Sequence, residues 1–182
     1  MTSYKTAFEG ALGRTKKHGL IVPEIPFLEG RLMNPTILYE LTLAVRGFFK
    51  SLTLEDLKTK QLHIHRELHE IAEETFESPA FFTMGWVQFC SHHYFRFDEE
   101  EISKILNPGA KTQEKPKLHA WLTFPTMEIL DFSINTILAA ELNRPEVEGK
   151  TIAAHPSSFG KNLQFHPMLV GDDLLNKIPI QV

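Results

Sequence analysis

The pattern of apolar and polar positions divides the chain into a helical first part and a strand-rich second part. From Tyr4 to Lys17, the residues Tyr4, Ala7, Phe8, Ala11 and Leu12 recur at the spacing of one helix face. Ser3 stands at the N-cap position and Gly19 just past the end. Pro23, Pro26 and Gly30 then punctuate a loop-like stretch from Leu20 to Met33. The second helix has the clearest start signal: Asn34 as N-cap and Pro35 at the first helical position, where a missing N–H costs nothing. Ile37, Leu38, Leu41, Val45, Phe48 and Phe49 form its apolar stripe. Thr53 and Asp56 have capping-box spacing and predict a third helix running on to Phe76, with Leu54, Leu57, Ile64, Leu68 and Ile71 on one face. Ser78-Pro79 stops it, because the residue before proline is pushed out of the helical region.

From Ala80 the pattern changes to aromatic and β-branched residues. Phe81, Phe82, Trp86, Val87, Phe89, Tyr94 and Phe95 predict one or two strands, with Gly85 marking a bulge or close approach and Cys90 lying within the run. Asp98 and Glu101 cap a predicted short helix to Leu106, which Asn107-Pro108-Gly109 ends; Ala110 to Lys117 reads as an exposed loop. The most regular strand follows, with Leu118, Ala120, Leu122 and Phe124 alternating with His119, Trp121 and Thr123. A turn near Pro125 to Met127 leads to a strand from Glu128 to Phe132, and Ser133 is the expected cap of a helix to about Leu142. Thr151 to Ala154 and Leu163 to Val170 read as short strands, His155-Pro156 and His166-Pro167 as turns, and Asp172 as the start of a last helical turn. No internal repeat is present. The expectation is one α+β domain over residues 1–182, with N-terminal helices packed on an antiparallel sheet.

Composition narrows the function classes. At 182 residues and 20.8 kDa the chain can bury a sizeable core, and 14 phenylalanines supply it. The net charge of −4 and the lack of a basic run argue against a nucleic-acid partner. Neither a continuous apolar leader nor an apolar stretch long enough for a bilayer is visible, so no secretory signal and no membrane partner are expected. Cys90 is the only cysteine; no internal disulfide can form, and a reducing, cytoplasmic setting is the simplest expectation. Phosphate-binding glycine loops are absent, so no nucleotide cofactor is expected, nor any other cofactor.

The candidate chemistry lies between His119 and Asp131. If Phe124 pairs with Glu128 across the turn, Trp121 faces Asp131 and His119 faces Ser133. His119 and Asp131 are then diagonal neighbours on one face, within side-chain reach. A carboxylate so placed holds one imidazole nitrogen and leaves the other free as a general base. This segment resembles the His-Ala-Trp … Asp element of the transglutaminase-like superfamily, cysteine hydrolases and acyl transferases related to papain-like enzymes. The resemblance implies that fold, with His119 as base, Asp131 as its orienting acid, and a cysteine nucleophile. In the family that cysteine opens a helix ahead of the His strand; residues 31–34 hold none here, so the role falls to Cys90. The implied activity is hydrolysis or acyl transfer at an amide or ester of a small-molecule or peptide substrate.

Two other readings stand beside it. A catalytically inactive member of that fold would serve as a ligand- or protein-binding module. A metal-binding protein would use His65 and His69, four apart on the third helix, with His92 or His93 completing the set. No Cys-pair or His-Glu-x-x-His spacing supports that last reading, and no metal ligands are assigned.

Overall fold

The computed structural model describes residues 3–106 and 118–177. Along the chain come α1 (Tyr4–Lys17), α2 (Pro35–Phe49), α3 (Leu54–Thr59), α4 (Gln61–Glu67), α5 (His69–Phe76), β1 (Phe81–Phe89), β2 (His92–Tyr94) and α6 (Glu99–Leu106). They continue with β3 (His119–Thr123), β4 (Ile129–Asp131), α7 (Ile134–Leu142), β5 (Ile152–Ala154) and β6 (Leu163–Val170). Short 3-10 turns lie at Pro145–Val147, Pro156–Ser158 and Asp173–Asn176. The chain is mixed α+β with antiparallel strand pairing. No described helix is long and apolar enough to cross a membrane. The residues group into two compact units, the first from Met1–Glu24, Thr83–His119 and Phe159–Val182, the second from Ile25–Phe82 and Ala120–Ser158.

In the first unit, Ser3 caps α1 by accepting from the Thr6 N–H at 3.2 Å, as its position predicts. β1 pairs with β2 on one side and β6 on the other. Gly85 does sit at a register shift: Met84 faces Leu169 but Gly85 faces Pro167, so Met168 is the extra residue of a bulge. Arg14 of α1 donates to the bulge carbonyls, Nε to Met168 at 3.0 Å and Nη2 to Pro167 at 2.7 Å. His166-Pro167 is therefore inside a strand rather than in a turn. Proline is tolerated there because a bulge interrupts the ladder that its missing N–H would break. Cys90 and Ser91 form the tip of the β1–β2 hairpin, between Phe89 and its partner His92, not part of a strand. Cys90 takes a left-handed φ of 53°, uncommon for a residue with a Cβ. Asp98 and Glu101 form the predicted cap of α6, Asp98 Oδ1 accepting from the Glu100 and Glu101 N–H groups at 2.9 Å. The predicted stop at Asn107 to Gly109 and the loop from Ala110 to Lys117 lie outside the described residues.

The second unit begins with the predicted cap of α2, where Asn34 Oδ1 accepts from Thr36 and Ile37 N–H at 3.0 and 3.1 Å. Only Leu41 and Val45 of its stripe are fully buried; Ile37, Leu38, Phe48 and Phe49 are half-covered. The predicted third helix is divided into α3, α4 and α5 by bends at Lys60 and Leu68, whose ψ angles of 24° and 0° depart from helical values. Ladder bonds from Lys60 to Asp56, Ile64 to Lys60, Leu68 to Ile64 and Ala72 to Leu68 persist through both bends. A single buried line, Leu57, Gln61, Ile64, His65, Leu68, Ala72 and Phe76, runs through them, while Leu54 is exposed.

β3, β4 and β5 form the ladder of this unit, with β4 in the middle. Leu122 faces Leu130, Thr123 faces Ile129, and Phe124 N–H donates to Glu128 O at 2.9 Å, which is the pairing supposed across the turn. Met127 makes the turn possible by adopting φ 67°. β4 is shorter than predicted, because Glu128 closes the turn and Phe132 leaves the ladder toward α7.

Candidate ligand-binding cleft

Along α2, Leu38, Thr42, Arg46 and Lys50 step by four residues and so share one flank of the helix. Beside them Leu41, Val45 and Phe49 make an apolar flank. These residues form one wall of a cleft of about 680 Å³. Phe132, almost fully buried, forms its floor, and Gly149 to Thr151 with Ala153 of β5 complete the lining. Phe49 and Phe132 meet there at 5.6 Å between ring centres. The volume is that of an ordinary small-molecule site, with apolar walls and few polar groups.

Buried polar bonds hold the start of α2 and the floor. Glu128, 1% exposed, accepts from the Leu32 and Met33 N–H groups at 2.7 and 3.1 Å and from Thr126 Oγ1 at 2.7 Å. It thereby fixes the chain immediately before the Asn34 cap, and with it the start of α2. On the floor, His65 lies fully buried against Phe132, 5.5 Å between ring centres. Phe132 N–H donates to His65 Nε2 at 3.0 Å, so that nitrogen carries a lone pair. The proton must then be on Nδ1, which donates to Gln61 O at 2.7 Å. His65 Nε2 is also 3.5 Å from Asp131 Oδ1, but a nitrogen already accepting a bond in the neutral ring makes no ion pair there.

Asp131 is fully buried and belongs to the start of α7. Its Oδ1 accepts from Ser133 N–H at 2.9 Å, Ile134 N–H at 3.0 Å and Ser133 Oγ at 3.3 Å. The expected cap, Ser133, makes no side-chain capping bond; the carboxylate two residues earlier reaches the helix's free N–H groups instead, and a negative group suits the positive end of the dipole.

The other candidate site residues fall elsewhere. His119 opens β3, fully buried and stacked on Phe95 at 5.2 Å. Cys90 is exposed at its hairpin tip, where its N–H donates to Asn162 O at 2.7 Å and its carbonyl accepts from Gln88 Nε2 at 2.9 Å. Its Sγ makes no hydrogen bond among the described residues, and no helix begins there. His65 and His69, the pair of the alternative metal reading, are engaged elsewhere: Leu68 separates their helices, both nitrogens of His65 are in use, and His69 Nε2 donates to Ala80 O at 2.6 Å. Among the described residues no three His, Cys, Asp or Glu side chains gather as metal ligands.

Sequence reasoning passed over Arg46, Lys50 and Lys150. The four-residue step from Leu38 to Lys50 was visible as a mixed stripe; nothing in the sequence placed Lys150 at the same cleft. Comparison of the chain with protein families, curated proteins and solved structures finds no match.

Proposed function

We propose that the protein is a non-catalytic binding module that holds a small ligand between α2 and β5. The cleft carries this reading: about 680 Å³, walled by Leu41, Val45, Phe49 and Phe132, and set on buried hydrogen bonds that preform it. A preformed apolar site binds without the cost of ordering its walls, and that is what affinity for a small molecule requires. The exposed thiol at a hairpin tip and the fully buried imidazole of His119 weigh against chemistry as the main role.

Acyl transfer by Cys90, His119 and Asp131 is the rival proposal, favoured by the Phe124–Glu128 pairing that sets Asp131 opposite Trp121. Its test is the iodoacetamide labelling rate of the folded protein at neutral pH. A rate well above that of a free cysteine would revive it.

The binding reading is tested with N-phenyl-1-naphthylamine, an uncharged fluorophore that brightens in apolar sites. The native chain is expected to bind it saturably. Thr42→Trp, at an exposed position on the cleft wall, should weaken binding about tenfold, near 1.4 kcal/mol, with an unchanged near-ultraviolet spectrum. Cys90→Ser should leave binding as it was. Absence of saturable binding, or a Thr42→Trp variant that binds as well as the native chain, would overturn it.

A further inference from the structure

We infer that the ligand is an amphipathic organic anion, an apolar body carrying one negatively charged head, and this rests on the binding reading above. Three cations line the cleft: Arg46 and Lys50, one turn apart at the end of α2, and Lys150, just before β5. None of the three has a carboxylate within ion-pair distance or a side-chain hydrogen bond among the described residues. Four exposed lysines elsewhere do find carboxylate partners, while Lys16 and Lys161 have none among the described residues. Lys17 meets Glu99, Lys60 meets Asp56 at 3.0 Å, Lys104 meets Glu100 at 2.7 Å and Lys177 meets Asp173 at 3.2 Å. Even Glu146, which feels the charge of Lys150, is held instead by Arg144 at 2.7 Å.

The position of Arg46 and Lys50 at a helix C-terminus has an ordinary explanation, since cations complement the negative end of the dipole. That does not account for Lys150, which comes from a different segment and faces the same opening. Three positive groups around one cleft repel each other and gain from a shared counter-charge. The apolar part of the lining sets the rest of the ligand: Leu38, Phe49 and Ala153 are half-buried and offer only carbon to an occupant. A small inorganic anion would leave that surface uncovered, and a neutral lipid would leave the cations unmatched. An acyl or aryl body with a carboxylate or phosphate head satisfies both ends.

The test compares two fluorophores with the same anilinonaphthalene body on the full chain. One is 8-anilinonaphthalene-1-sulfonate, which carries a negative charge; the other is the uncharged N-phenyl-1-naphthylamine. With three exposed cations acting together, the anion should bind about tenfold more tightly at low salt. Lys50→Gln combined with Lys150→Gln should remove most of that preference, read as the ratio of the two probes' affinities, as should high salt. Dodecanoate and dodecyl phosphate should displace the anionic probe where dodecanol does not, and their relative potency tells which head the site prefers. Equal affinity for the two fluorophores, or a preference untouched by the double substitution, would overturn the anion assignment while leaving the cleft as a binding site. Failure of both probes to bind would overturn the binding reading and the anion assignment together.

Discussion

Each of the two units sets a histidine against an aromatic ring, and the two arrangements have opposite consequences. His65 lies 5.5 Å from Phe132 with both ring nitrogens engaged, one donating to Gln61 O and the other accepting from Phe132 N–H. His166 stacks on Trp86 at 3.7 Å with rings almost parallel, and its Nε2 is buried without a hydrogen-bond partner among the described residues. His93, 4.9 Å from the same indole, and Arg96, 5.6 Å from its centre, bring positive charge close by. Burial first, then His93 and Arg96, hold the His166 imidazole below its ordinary pKa. His65 is bonded into the frame at both nitrogens, whereas His166 is held by stacking and burial with one nitrogen unmatched.

The sharpest way to break the comparison is to remove the ring that His65 supports. Phe132→Ala should cost about 3–5 kcal/mol, as a large side chain deleted from a buried site leaves both lost transfer energy and a cavity. Chemical denaturation measures it, and a loss under 1 kcal/mol would mean that the floor of the cleft collapses freely. Next comes His65→Leu, which keeps the bulk but strands the Phe132 N–H. It should cost about 1–3 kcal/mol and weaken N-phenyl-1-naphthylamine binding, because a buried donor loses its only ring acceptor. Were His65→Leu as stable as the native chain, the hydrogen bond would be dispensable to the frame.

The smallest effect belongs to His166. Its folded pKa is depressed, so the unfolded chain takes up a proton first as the pH falls. Stability fully present above about pH 6.5 should therefore be lost as the pH drops through that value toward the folded pKa. His155, also lowered chiefly by burial, contributes with the same sign. His166→Phe, which keeps a ring against Trp86, should flatten the fall of melting temperature between pH 7 and pH 5, roughly the range over which a histidine titrates. An unaltered slope would remove His166 from the acid response.

Local signals in the sequence were strong wherever the physics is local. Asn34-Pro35 and Ser3 specified helix starts because a capping side chain reaches only two or three residues. The Phe124–Glu128 pairing supposed across the Pro125–Met127 turn is present, although alternation alone could not select it, because both faces of β3 are buried. Gly85 marked a bulge, although only the partner strand revealed that the extra residue is Met168. The bends at Lys60 and Leu68 were not legible, since the apolar spacing runs through them unchanged. His65 entered one alternative reading as a metal ligand, and its place in the line Gln61, Ile64, His65 and Leu68 fits a core position instead.

The sequence by itself determined the helices' beginnings, the alternating strand and the turn that folds it back, all set by interactions a few residues long. Only the tertiary structure decided that His65 accepts from the Phe132 N–H, that His119 is buried against Phe95, and that Lys150 lines one cleft with Arg46 and Lys50. Those outcomes depend on which distant segments come together, and a side chain's partner across the fold leaves no periodic trace in the chain that carries it.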